Sequence, residues 1–495
     1  MPIRLRLVSF FWVMFLPAWA QSGRSINYSA ELGGLVATTP QIPFWLRSNQ
    51  YGTVPLRGSF GTVRLGAEKT YRPRPDSASR RKSRFDWGFG VNVVANAGYQ
   101  KEPNQPTVLL PQAYVKLRFG ALELVGGNRM EVFGLGDTVL TSGFVAWSGN
   151  AIPFPKIQLH TPDFVPIGFT KNLIAIRAGY AHGWFANSYI QGSYLHQKYI
   201  YARLGKPSWR MRFYGGLNHQ VQWGGHADYL VGTQLAVNGH LPTSFQDYLS
   251  MVIGHYPDAL QNDRFTDFDG TNRVGNHIGS YDVALEWIGT NQNWLLYHQH
   301  IYEDASGLAL QNVPDGLTGL RFLNHNTTAS SFFKLRRWVV ECLSTTNQSG
   351  PTFDQTARYQ GGDNYFNHSQ YKEGWTYRGK TIGTPFLAPY TTLAEPVANL
   401  GGSFFPNNRV VAWYTGMEGV FRHGPSLKVR LSYSRNFGTF NQSYPHPFHQ
   451  FSALASAQWS LSRRLGTTLL TTVAIDRGEL FPNTVGSFVS IRKVW

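Results

Sequence analysis

The chain has 495 residues, with 45 Lys and Arg against 28 Asp and Glu, a formal charge of +17. Its single cysteine, Cys342, excludes an internal disulfide, and a mean hydropathy of −0.26 with no long apolar run after the N-terminus excludes a bundle of membrane helices. What remains is a large all-β chain rich in glycine and aromatics. A basic excess of this size suits an anionic partner such as an acidic glycan or lipopolysaccharide phosphate, and equally a basic rim against anionic headgroups.

The first twenty residues read as a secretory signal. Arg4 and Arg6 form the positive region, Leu7 to Leu16 the apolar region, and Ala18-Trp19-Ala20 the small-x-small cleavage site. Residues 21–495 then read as one outer-membrane β-barrel domain, because the same pattern of alternation returns along the whole of it. From Phe85 to Tyr99 the odd positions Trp87, Phe89, Val91 and Val93 are apolar, while Asp86, Asn92 and Asn96 are polar. Val115, Leu117 and Phe119 alternate with Lys116 and Arg118.

The clearest strand is Trp209 to Trp223, WRMRFYGGLNHQVQW. Trp209, Met211, Phe213, Leu217, Val221 and Trp223 share one face, and Arg210, Arg212, Asn218, Gln220 and Gln222 the other. A strand this long, with a Trp at each end of its oily face, suits a tilted bilayer crossing between two aromatic belts. A soluble sandwich would carry the same alternation with one face inward. Further strands follow at Tyr281 to Trp287, Leu427 to Ser434, Ala453 to Leu461, and Val485 to the terminal Trp495.

Tight turns near Gly120, Gly205-Lys206-Pro207, Asn291-Gln292-Asn293, Gly424-Pro425 and Arg464 to Gly466 alternate with long connections. The long ones lie around 100–107, 129–155, 258–275, 345–408 and 436–449. Counting back from a periplasmic C-terminus puts every tight turn inside and every long connection outside. The expected fold is therefore a transmembrane antiparallel barrel of about 18 strands (18–20), with periplasmic termini and long extracellular loops. The stretch from Thr70 to Lys82, with Arg72, Arg74, Arg80 and Arg81, fits a periplasmic turn less well.

Residues Arg129 to His160 break the alternation with Gly134, Gly136, Gly143, Gly149, Pro153 and Pro155, which predicts an ordered irregular loop folded inward. Arg129, Glu131 and Asp137 are expected to be lumen-facing, paired and structural. In this stretch the chain resembles the Wzi-type capsule assembly family, through GGNRMEVFGLGD (126–137) and LTSGFVAWSGNAIPFPKI (140–157). ELGGLVATTPQIPFWLRSNQYGTVP (31–55) and NYFNHSQYKEGWTYRGKTIGTPF (364–386) match in the same order. The resemblance implies an outer-membrane barrel that acts as a surface lectin, binding capsular or extracellular polysaccharide and supporting its assembly and retention. The family's founding type also has an N-terminal helical bundle plugging the periplasmic mouth. Between Gln21 and Arg57 no amphipathic helical period is present.

By chemistry, the candidate glycan-binding residues are Trp147, Asn150, Tyr365, Asn367, His368, Trp375, Tyr377 and Arg378. The rings offer flat apolar faces for the C–H side of a pyranose, and the amides and cations offer donors for hydroxyls and uronates. The same aromatics would serve equally to pack the loop against itself. No Ser–His set, nucleotide loop or zinc spacing stands out, so neither an enzyme nor a cofactor or metal is expected. His298 and His300, two apart on one strand face, read as packed rather than metal-binding. The expected partners are the polysaccharide, outer-membrane lipid and lipopolysaccharide, and the barrel-insertion machinery, with no nucleic acid. A porin or a polysaccharide export channel is the alternative, since Arg210, Arg212, Lys428 and Arg430 would line either an open or a salt-bridged lumen.

Overall fold

The alternating segments pair into one antiparallel sheet that closes on itself. A computed structural model describes residues 26–71, 85–98, 107–254, 262–326, 332–354, 358–359, 361–400 and 402–495. The predicted signal and the arginines at 72–81 lie outside the described residues.

In chain order the strands are β1 (Asn27–Ala37), β2 (Phe60–Lys69), β3 (Phe85–Ala97), β4 (Val108–Phe119), β5 (Leu122–Asn128) and β6 (Pro155–His160). Then come β7 (Ile174–Trp184), β8 (Tyr194–Leu204), β9 (Met211–Trp223), β10 (Asn276–Ile288), β11 (Gln292–Tyr302) and β12 (Gly316–Asn324). The last six are β13 (Phe333–Ser344), β14 (Val410–Phe421), β15 (Ser426–Gly438), β16 (Ser443–Ser462), β17 (Thr467–Gly478) and β18 (Thr484–Val494). The sheet has 19 segments, but Val165–Pro166 pairs with the same strand β7 as β6 does and continues it, so the barrel has 18 strands. β1 pairs with β18 from Ser29↔Val494 to Ala37↔Gly486, which leaves no free edge.

An even strand number brings both ends of the barrel to one rim. That rim carries the short connections 120–121, 205–210, 289–291, 422–425 and 463–466, as the turn residues predict. The opposite rim carries 38–59, 129–154, 224–275 and 345–409. The expected long connection at 436–449 is instead the short turn 439–442, because β15 and β16 run on past a bulge between Asn436 and Gly438.

Side chains of one parity point outward and remain largely exposed, including Trp87, Val115, Ile157, Ile200, Met211, Val283, Leu296, Trp413 and Val489. This apolar outer face is the surface a bilayer covers. The core lies inside the lumen instead of between two layers. Long-rim connections fold inward, and Phe44, Trp45, Phe144, Trp147, Trp375 and Phe386 pack in one cluster with the inward strand residues Tyr199, Tyr201, Tyr297 and Tyr414. The described residues between 26 and 57 hold strand β1 and a four-residue helical turn, Phe44–Arg47. That turn belongs to the lumen plug: Trp45 Nε1 donates to Ser432 Oγ at 3.0 Å, and the Phe44 amide donates to Asp476 at 2.8 Å.

Candidate functional site

The irregular stretch after β5 is fixed in the lumen by carboxylates of the barrel wall. Leu135 N donates to Asp282 at 2.7 Å. Thr141 Oγ1 and Ser142 N both donate to Glu341, at 2.7 and 2.6 Å. Arg129 pairs with Glu123 at 2.6 Å and with Glu131, Lys156 with Glu131 at 2.6 Å, and Arg337 with Asp137 at 2.8 Å. The pairing expected for Arg129, Glu131 and Asp137 is therefore present. Arg430, expected on the lumen wall, donates to the Val139 carbonyl at 3.1 Å.

The eight residues predicted to meet glycan divide into two groups. Trp147, Tyr365, Trp375 and Tyr377 are buried within the plug, so no ring face is open to a sugar. Trp147 packs edge-on to Phe133 at 5.6 Å, and Tyr377 stacks on Phe154 at 4.1 Å. Trp375 Nε1 donates to the Ala146 carbonyl at 2.8 Å, and Tyr365 Oη donates to Asp315 at 3.1 Å. The open platform expected of these rings is thus corrected to a packing role: large apolar faces gain more by leaving water together than by standing on a rim. Asn150 is half-buried, tying the plug together by accepting from Asn49 N at 3.3 Å and donating to the Thr381 carbonyl at 3.1 Å. Arg378 is half-buried as well, its guanidinium 5.6 Å from the Tyr377 ring.

Asn367 and His368 lie elsewhere, in the wall of a cleft of about 1130 Å³. The cleft opens at the long-connection rim between residues 266–276, 303–304, 362–372 and 402–404. Its wall carries amides (Asn272, Asn276, Asn364, Asn367), the cations Arg273 and Lys372, and the acids Asp267, Glu303, Asp304 and Asp363. The basic excess of the whole chain is not concentrated here. Asn276 is 4% exposed, and its Nδ2, like Thr266 Oγ1, has no hydrogen-bond partner among the described residues. Buried donors of this kind are costly unless something bonds to them.

Sequence reasoning missed Thr266, Asn272 and Asn276. The signal was the polar run NDRFTDFDGTNRVGN (262–276) inside a long connection, a stretch that reads as ordinary loop composition.

At the back of the cleft, burial and then the neighbouring Asp304 charge push the Asp363 carboxyl up to about 8. Ser306 and Ser349 donate to it at 3.0 and 2.9 Å. Burial likewise raises the nearby Glu303, which accepts from the Phe366 amide at 2.7 Å. A carboxyl in the unfolded chain titrates near ~3.9. Between these values the folded loop holds the extra proton, so its stability is full below the unfolded pKa and is lost as pH rises through about 8. Amide protection in 361–400 is therefore expected to fall between pH ~4 and about 8, and Asp363→Asn is expected to flatten that fall; protection independent of pH in the parent would contradict it.

His298 and His300 do not form a shared site. His298 Nδ1 lies 2.8 Å from Thr318 Oγ1, and His300 Nε2 lies 3.3 Å from the Gly307 carbonyl. Among the described residues no group of three or more His, Cys, Asp or Glu is placed to hold a metal.

Residues 46–387 match the family described as capsule assembly protein Wzi. Comparison with curated proteins finds no match. Among solved structures, the chain is similar to Wzi of Escherichia coli, described as an outer membrane protein involved in group 1 capsule assembly and a carbohydrate-binding β-barrel. The identity is 14%, the TM-score 0.58, and the alignment covers 94% of this chain and 83% of that one. The chain is less similar to OccAB4 of Acinetobacter baumannii (10% identity, 96% and 99% covered, TM-score 0.45) and to OprD of Pseudomonas aeruginosa (8%, 95% and 93%, 0.44).

Proposed function

The chain belongs to the Wzi capsule assembly family, and from that membership we propose that it holds surface polysaccharide at the outer membrane by binding, without catalysing a reaction. In this reading residues 1–20 direct export, both barrel ends face the periplasm, and the long-connection rim faces the medium. The outward apolar face meets outer-membrane lipid and lipopolysaccharide, and the last strand with its terminal Trp495 is what the barrel-insertion machinery reads.

The observation that carries the proposal is the relation of cleft to lumen. A large cavity opens at the long-connection rim, and beneath it the lumen is occupied by a packed aromatic core. A rim cleft walled by amides and unpartnered donors offers what sugar hydroxyls need, whereas an export route needs a clear lumen. Glycan enters this account through amides and cations, while the buried rings hold the shape behind them.

Asn276→Ala removes one unpartnered donor, and Lys372→Ala removes an exposed cation of the same wall. Each is expected to weaken binding of capsular polysaccharide purified from the producing strain by roughly 10-fold, the worth of one hydrogen bond at about 1–1.5 kcal/mol. Heat-modifiable migration of the barrel on gels is expected to stay unchanged. Parent-level binding by both folded variants would remove the cleft as the site.

A further inference from the structure

Outward positions of a barrel strand are bare unless lipid or protein covers them. On β9 the outward Met211 is 55% exposed, but Trp223, on the same face at the long-connection rim, is only 5% exposed. The alternation of the strand predicts Trp223 in an aromatic belt; it is covered by a helix instead.

That helix, α1 (Phe245–Ile253), lies in the 224–275 connection. Met251 packs with Val221 and Trp223, and the Tyr248 ring sits 5.2 Å from Trp223, 6.0 Å from His182 and 6.1 Å from His196. The Tyr248 hydroxyl bonds to that of Tyr180, and Lys198 Nζ donates to the Val252 carbonyl, among the carbonyls that a helix end leaves unpaired. Tyr180, His182, His196, Lys198, Val221 and Trp223 all have outward parity, on the three adjacent strands β7, β8 and β9. The helix therefore lies on the outside of the barrel. Its ends are fixed as well, by a Ser244–Asp247 capping box and by Gly254 at φ 69°.

The edge facing away from the barrel carries Phe245, Leu249 and Ile253 at intervals of four, exposed by 74%, 49% and 74%. The helix has one charged residue, Asp247, which is buried and paired with Arg264 at 3.5 Å. Tyr248, between these positions, touches the exposed outward Tyr180 of β7, a strand whose outward face also exposes Trp184.

We infer that α1 is a lipid-boundary anchor, with Phe245, Leu249 and Ile253 seated in the bilayer leaflet that surrounds the long-connection rim. The occupant is lipid because the edge continues the barrel's own apolar belt, bears no charge and is held against that belt from behind. The anchor fixes the 224–275 connection, and with it one wall of the cleft, at a set height above the membrane.

The test uses the full chain with Cys342→Ser, inserted in phosphatidylethanolamine and phosphatidylglycerol vesicles. Leu249→Cys and Ile253→Cys carry a nitroxide, with Leu285→Cys as the bilayer control and Thr233→Cys as the aqueous control. Phe245→Cys takes the place of either helix variant that fails to insert. The expected result is the pattern of Leu285, with collision by oxygen exceeding collision by a nickel chelate several-fold. The Thr233 pattern would overturn the inference, and so would protection from both reagents, which is what a second copy or another protein on this edge would give.

Discussion

Replacing Trp375 with Ala is expected to release the lumen plug while the barrel wall persists. Its side chain is fully buried, with ring neighbours Trp147 and Phe185 at 6.5 and 6.4 Å and its indole nitrogen on the Ala146 carbonyl at 2.8 Å. Truncating a buried Trp costs about 3–5 kcal/mol, and the orphaned carbonyl adds about 1. That loss falls on contacts between 345–409 and 129–154, whereas the strands keep their own hydrogen-bond ladders. Limited proteolysis should then cut within those two connections, ion conductance in planar bilayers should rise, and heat-modifiable migration should remain. A protease-resistant, non-conducting Trp375→Ala barrel would show that the plug does not depend on this contact. Any polysaccharide binding lost in this variant reports collapse of the support, in contrast to the loss expected of Lys372→Ala with the plug intact.

Glu341→Ala is expected to free the plug from the other side. The Glu341 carboxylate of β13 accepts from Thr141 Oγ1, Ser142 N and Tyr297 Oη, the last at 2.5 Å. Its removal strands three buried donors at about 1–3 kcal/mol each, partly relieved by relaxation, for a net cost of roughly 3–5 kcal/mol. Glu341→Gln keeps one acceptor oxygen and is expected to lose less than half as much. Hydrogen exchange within 129–154 reads both variants. Equal protection in the parent and in Glu341→Ala would refute the anchoring role.

The barrel was legible in the sequence because its determinant is local. One face must meet lipid and the other the lumen, so a period of two is written into every strand, and glycine and proline mark the turns. The Arg129, Glu131 and Asp137 pairings were legible for a similar reason: charges within an inward loop require partners.

The fate of Trp375 and Tyr377 was not legible, since aromatics in an irregular loop have the same composition whether they face each other or solvent. Burial is decided by residues far away in the chain, here Ala146 and Phe154. The 436–449 stretch misled for a backbone reason. Pro445 and Pro447 look like loop residues, yet they sit within β16 where its ladders lapse: pairing to β15 skips from Ser443 to Phe448, and pairing to β17 begins at Gln450. Proline is tolerated at such unpaired positions. Trp223 was assigned to a lipid belt correctly as to face and wrongly as to cover, because a helix that begins 22 residues later, at Phe245, can fold back over an outward position without leaving any trace in the strand itself.

Retention of a surface glycan by a plugged barrel can be read by comparing cell-bound with released polysaccharide in a strain lacking this protein. In that strain polysaccharide is expected to be made and exported still but shed into the medium, with the parent chain restoring it to the cell and Lys372→Ala restoring less. Accumulation of polysaccharide inside the envelope of the deletion strain would contradict it and make the barrel an export route.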